Sequence, residues 1–177
     1  MKVRITVPAL LLILISAVAR PTLASASRPA PTAAQIRQAV RRAESSRNLW
    51  STVNICNAPR YRDVIGIRGQ MPALGFPASL SMNVQVDYFS QQQHQFVVDT
   101  LVRLKPLKLG DLATGRHQAG VSLRFSPHAG RLSGTVTFTW RRAGKVIGQT
   151  KRPTTPGHPG ADFGHPEHYS AGECTIP

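Results

Sequence analysis

Acidic side chains are scarce: the 177 residues include 8 Asp+Glu against 22 Lys+Arg, a formal net charge of +14. With so few carboxylates, paired acid/base machinery has little to draw on. Aromatics make up only 6% of the chain, which leaves few platforms for stacking bases. RNP-type aromatic motifs, zinc fingers and helix-turn-helix patterns are missing. There are two cysteines and no C-x-x-C spacing, so a thiolate metal site has no support. The G-x-S-x-G, H-E-x-x-H, phosphate-loop and G-x-G-x-x-G patterns are also absent. The length suits one domain and is too short for a (β/α)₈ barrel. These absences point away from an enzyme. The high charge is not that of a disordered chain, because most of the sequence alternates between apolar and polar residues.

One long apolar run exists, and it is at the N-terminus. Lys2 and Arg4 precede Ile5–Ala19, and Ala24-Ser25-Ala26 offers small residues at the two positions a signal peptidase reads. Residues 1–26 are therefore expected to be a cleaved secretory leader. A run of about 15 residues is shorter than the roughly 20 needed to span a bilayer, which argues against an uncleaved anchor. No second apolar run follows, so the exported product is expected to be soluble and extracellular. The leader holds three basic residues and no acids, so the positive charge belongs to the folded product. The preference for Arg over Lys fits a GC-rich genome, given how common Ala, Gly and Pro are, but codon usage does not account for the shortage of acids.

In an exported protein, two cysteines far apart are most simply a disulfide. Cys56 and Cys174 would close a loop of 118 residues. Chain entropy assigns about 4.7 kcal/mol to a loop of roughly 100 residues, comparable to the low end of a whole domain's stability.

After a linker over 27–32, Thr32-Ala33-Ala34-Gln35 matches a capping box. Ile36, Val40 and Ala43 then recur on one helical face, predicting a short amphipathic helix to about Ser46. From Leu49 the period becomes two. Strands are expected at Leu49–Cys56, Val64–Met71, Ser79–Phe89, Gln95–Leu104, Gln118–Phe125, Leu132–Arg141, Lys145–Lys151 and Tyr169–Ile176. In the third, Leu80, Met82, Val84, Val86 and Tyr88 form the inward set. In the sixth, Val136, Phe138 and Trp140 point in and Thr135, Thr137 and Thr139 point out. Residues 153–168, rich in Pro, Gly and His, read as loop. The domain plan is a leader (1–26), a linker and helix (27–48), and a β-domain (49–177).

Short strands joined by turns imply an all-β, antiparallel, immunoglobulin-like β-sandwich, with Trp50 and Trp140 available to pack on the disulfide. Tyr169, five residues before Cys174, departs from the tyrosine corner of that fold. A closed β-barrel is the alternative. The segments Leu49–Cys56, Arg68-Gly69-Gln70-Met71-Pro72, Thr155-Pro156-Gly157-His158 and Tyr169–Cys174 together resemble a group of small, uncharacterised secreted proteins of high-GC Gram-positive bacteria. The resemblance spans about residues 49–177. It implies a β-sandwich with a terminal disulfide, and it implies no activity, cofactor or site residue.

Two constellations could carry function. His158, Asp162, His165 and His168 are spaced H-x3-D-x2-H-x2-H, with imidazole and carboxylate donors that suit zinc or copper. The alternative is a solvated loop in which the histidines are incidental. The basic residues fall into three groups: Arg37, Arg41 and Arg42 with Arg47 on the helix and its exit; Arg103, Lys105 and Lys108; and Arg141, Arg142, Lys145, Lys151 and Arg152. They suit a polyanion outside the cell, either an anionic envelope polymer or an acidic protein. The sequence thus predicts a secreted, non-catalytic binding domain without a cofactor. A metal-binding protein using the His loop is the second reading.

Overall fold

The computed structural model describes residues 29–177; the expected leader lies outside them. The element order is α1 (Ala33–Glu44), β1 (Trp50–Ala58), β2 (Tyr61–Pro72), β3 (Ala78–Ser90), β4 (Gln95–Val98), β5 (Leu107–Leu112), β6 (Arg116–Arg124), β7 (Gly130–Arg142), β8 (Lys145–Pro153) and β9 (Glu173–Ile176). All strand pairings are antiparallel, in two sheets. The smaller sheet runs β1-β2-β6. The larger is built on the long β3–β7 pair. Its β4 and β5 share the far edge of β3, and β8 and β9 share the far edge of β7. One of the sheets curls into a half-barrel, but the two share no ladder. The result is a sandwich, not the closed barrel that strand count alone allows.

Parity decides what is buried. Val53, Ile65, Ile67 and Met71 of the smaller sheet face Leu80, Met82, Val84, Val86, Leu132, Val136, Phe138 and Trp140 of the larger, all almost inaccessible to solvent. Two glycines let the sheets approach. A Cβ on Gly134 would lie 2.5 Å from Ile67 Cδ1, and one on Gly69 would lie 3.1 Å from Phe138 and the Met82 sulfur. Cys56 of β1 and Cys174 of β9 form a disulfide with a Cα–Cα distance of 5.2 Å, joining an early strand of one sheet to a late strand of the other. Neither tryptophan packs on it. Trp140 is buried near the other end of β7, where its indole N–H donates to the Pro72 carbonyl (2.9 Å). Trp50 points to the outer side of the smaller sheet.

Three other expectations are corrected. The Gln95–Leu104 strand stops at Val98, because the chain turns at Asp99, whose carboxylate accepts from Leu101 N–H. A strand then forms at Leu107–Leu112, where Pro106 and a left-handed Gly110 (φ 103°) mask the alternation. Tyr88 reaches solvent at the end of β3, and Asp87 beside it is the buried residue. Its carboxylate accepts from Gln85 Nε2 (2.8 Å) and Thr135 Oγ1 (3.0 Å).

The capping box at Thr32 and Gln35 forms as the sequence implies. Ala39, Val40 and Ala43 are buried, and α1 is part of the same compact unit as the sheets. It packs on β8, where a Cβ on Gly148 would lie 2.5 Å from Val40 Cγ1. Arg152 Nη2 donates to the Glu44 carbonyl (2.6 Å), placing a cation at the helix C-terminus, where the dipole favours it.

Two outcomes test this packing. Replacing both cysteines by alanine should cost about 3–5 kcal/mol in urea unfolding, the scale set by the loop length. Gly148→Val should dislodge α1, so that trypsin cleaves at Arg37, Arg41 and Arg42 faster than in the parent chain while the far-UV β signal is retained.

Candidate functional site

The outer face of the smaller sheet is covered by its own loop. From Thr154 the chain runs along the open edge of β1: Thr155 N–H donates to Ser51 O (2.9 Å), Val53 and Ala171 exchange two bonds (2.9 and 3.0 Å), and His165 N–H donates to Asn54 O (2.8 Å). Between these anchors the loop folds over the sheet. Asn54 Nδ2 donates to Asp162 O (2.8 Å), Gln118 Nε2 to Gly160 O (2.9 Å), and Asp162 N–H to Gln118 Oε1 (2.9 Å). Ala161, within the loop, is buried.

This docking spreads the candidate metal ligands apart. His158 stacks on Trp50 with ring centroids 4.7 Å apart and planes 10° from parallel, and its Nε2 meets Thr155 Oγ1 at 3.1 Å. His165 lies against Tyr61 (4.6 Å). His168 Nδ1 lies 3.0 Å from the Pro159 carbonyl. Asp162 is near Arg68, whose charge it favours. Among the described residues no group of three or more His, Cys, Asp or Glu side chains converges. The cause is the backbone: His158 and His165 are carried to different places along β1 while His168 turns back on the loop itself, so sequence spacing does not translate into a cage.

A feature the sequence did not reveal lies under the loop. Arg68 of β2 crosses Gly120 of β6, where a Cβ would come within 3.1 Å of its Nε. Phe163 covers it with the guanidinium carbon 4.9 Å from the ring centroid. Its Nε is buried without a partner, and desolvation pulls its pKa below the usual arginine value. Beside it is an open polar cleft of about 540 Å³ lined by Asn48, Trp50, Gln70, Arg116, Gln118 and His158 among others. Its amides are engaged with one another: Gln118 Nε2 donates to Gln70 Oε1 (3.2 Å) and Gln70 Nε2 to Asn48 O (3.2 Å).

The basic groups separate as well. Arg37, Arg41 and Arg42 lie exposed on α1, and Arg103 and Lys105 lie exposed on the segment joining β4 to β5. Arg152 is tied to the helix end. Arg142 reaches over Phe76 (5.6 Å), and Lys145 stands at the β7–β8 turn. Three members of two of these groups share the solvent face of the larger sheet. Register pairs Lys108 with Ser81, Arg141 with Ser79, and Lys151 with Thr137. Between them lies a floor of Ser79, Ser81, Asn83 and Gln85 from β3 and Thr135, Thr137 and Thr139 from β7. Two depressions open on this floor. One of about 610 Å³ is walled by Pro106, Lys108 and Asp111, and one of about 810 Å³ by Phe96, Val98, Pro153 and Pro156. The alternation on β3 and β7 makes the polar parity readable in sequence; the pairing that sets the two rows side by side is not.

Burial lowers the His158 pKa from its usual 6.5, in a cleft that also holds Asp162 and Arg116. The unfolded chain therefore binds the proton more readily than the folded one. The stacked loop should hold above pH 6.5 and loosen as the pH falls below it. His158→Phe, which keeps the stack and removes the titration, should flatten that acid limb in thermal melts followed by Trp50 fluorescence.

No family model matches the chain, and no curated protein matches it. Two solved structures are similar over part of it. One is a "putative beta-galactosidase from Bacteroides fragilis" (13% identity, 62% of this chain and 16% of that one, TM-score 0.34). The other is the Pseudomonas fluorescens alkylpurine DNA glycosylase AlkC bound to DNA containing an abasic site analog (16% identity, 67% of this chain and 35% of that one, TM-score 0.31). The chain spans well under half the length of either, and at these scores neither bears on its function.

Proposed function

We propose that the chain is a secreted, non-catalytic binding domain whose ligand is an anionic polymer of the cell envelope. The supporting observation is unneutralised positive charge. Of the 22 Lys+Arg, 18 lie among the described residues, and there a single ion pair joins an arginine or lysine to a carboxylate, Arg131–Glu173 at 2.6 Å. Asp87 and Asp111 accept hydrogen bonds from neutral side chains instead. A surface whose cations are free in this way attracts polyanions over a distance set by salt screening. Export is supported by the leader-like N-terminus together with the disulfide, a bond that persists in oxidising compartments.

Retention on an immobilised acidic polysaccharide tests this reading. The protein should bind at 50 mM NaCl and elute by about 300 mM, where the Debye length has shrunk to roughly 6 Å. Passage through the matrix at low salt, or retention that added salt leaves unchanged, would refute it.

A further inference from the structure

The outer face of the smaller sheet is covered by the 154–171 segment, whereas the outer face of the larger sheet is not. The solvent face of the larger sheet presents the side chains of β3 and β7 in register: Ser79 beside Arg141, Ser81 beside Thr139, Asn83 beside Thr137, Gln85 beside Thr135. From Ser79 to Gln85 this floor runs about 20 Å at the usual strand rise of roughly 3.3 Å per residue. Both depressions open on it, one ending at Asn83 and Thr137 and the other beginning at Gln85 and Thr135, so together they trace a groove along the β3–β7 seam.

Cations border this groove on both sides. Lys108 is on β5 on one flank, Lys151 on β8 on the other, about 14 Å apart for three strand spacings of roughly 4.8 Å. Arg141 stands at one end. None of the three forms an ion pair among the described residues. Three carboxylates line the same depressions: Asp111 accepts from Ser79 Oγ, Asp87 is buried against Gln85 and Thr135, and Glu173 pairs with Arg131. The groove thus sets Lys108, Arg141 and Lys151 against Asp111 and Asp87, a net positive charge, while the floor offers neutral donors and acceptors.

We infer that this groove binds an extended acidic polysaccharide, a chain of hydroxyl-bearing sugars that carry carboxylates. The inference rests on the polyanion reading above and gives it a site and a ligand chemistry. Hydroxyl and amide side chains can both donate to and accept from sugar hydroxyls. The Ser, Asn and Thr floor bears no aromatic ring and Phe96 walls one depression only, so a neutral glycan finds little stacking surface along the seam and attraction comes mainly from the rims. Arginine and lysine at the edges supply it by charge-assisted hydrogen bonds to carboxylates. A polymer of phosphates would meet the cations and the floor's donors but leave its acceptors without partners, whereas sugar hydroxyls engage both.

Polygalacturonate oligomers, polyphosphate and dextran, titrated calorimetrically at 50 mM NaCl, separate the cases. The parent chain should bind polygalacturonate and not dextran. The variant Lys108→Ala/Arg141→Ala/Lys151→Ala should lose at least tenfold in affinity, whereas Arg37→Ala/Arg41→Ala/Arg42→Ala, an equal change of charge on the helix, should lose less than threefold. Asn83→Ala/Thr137→Val should weaken polygalacturonate more than polyphosphate. Equal losses from the two triple variants would overturn the groove while leaving polyanion binding intact. Polyphosphate binding as tight as polygalacturonate, with no effect of the floor variant, would overturn the sugar. Failure of every polyanion to bind would remove both this inference and the reading beneath it.

Discussion

A strand at the edge of a sheet exposes a row of backbone donors and acceptors that must find partners. In this molecule β1 is that strand, paired with β2 on one side only. The requirement is met by the segment from Thr154 to Ala171, which supplies main-chain partners to Ser51, Val53 and Asn54. The same segment also reaches the other sheet. Thr154 N–H donates to Gly134 O (2.8 Å), and its hydroxyl accepts from Gly134 N–H (3.1 Å) and donates to Gly172 O (2.5 Å). One irregular stretch of chain thus shields an edge, ties the two layers and leads into β9, where the disulfide fixes the end. Two histidines of that stretch serve the same covering role, His158 with its ring against Trp50 and His165 with its ring against Tyr61.

The sequence displayed the parts of this arrangement that depend on local periodicity. Alternation located β1, β2, β3, β6, β7 and β8 to within a few residues, because a sheet with one buried face writes period two into the chain. The capping box located α1 for an equally local reason. What failed was whatever depended on neighbours distant in sequence. Leu107 and Lys108 pair with β3 only because that edge is left open beyond β4, and nothing within six residues announces it. Trp50 and Trp140 look alike on paper, yet one faces the core and the other a loop more than 100 residues away.

The sites follow the same division. His158, Asp162, His165 and His168 are close in sequence and separated by the fold. Lys108, Arg141 and Lys151 are scattered in sequence and gathered by register. The basic side chains as a class were legible from composition; which of them share a face was not, since that requires knowing that β5, β3, β7 and β8 lie side by side. Arg68 gave no signal at all, because its setting depends on a glycine of β6 and a phenylalanine of the loop.

The two outer faces of the sandwich have opposite fates. One is spent beneath residues 157–169, and the other stays bare. If the bare face is the polymer site proposed above, each molecule offers one such groove. Copies would then coat a long polymer side by side, and cross-linking of a matrix through that groove would need association between the molecules themselves.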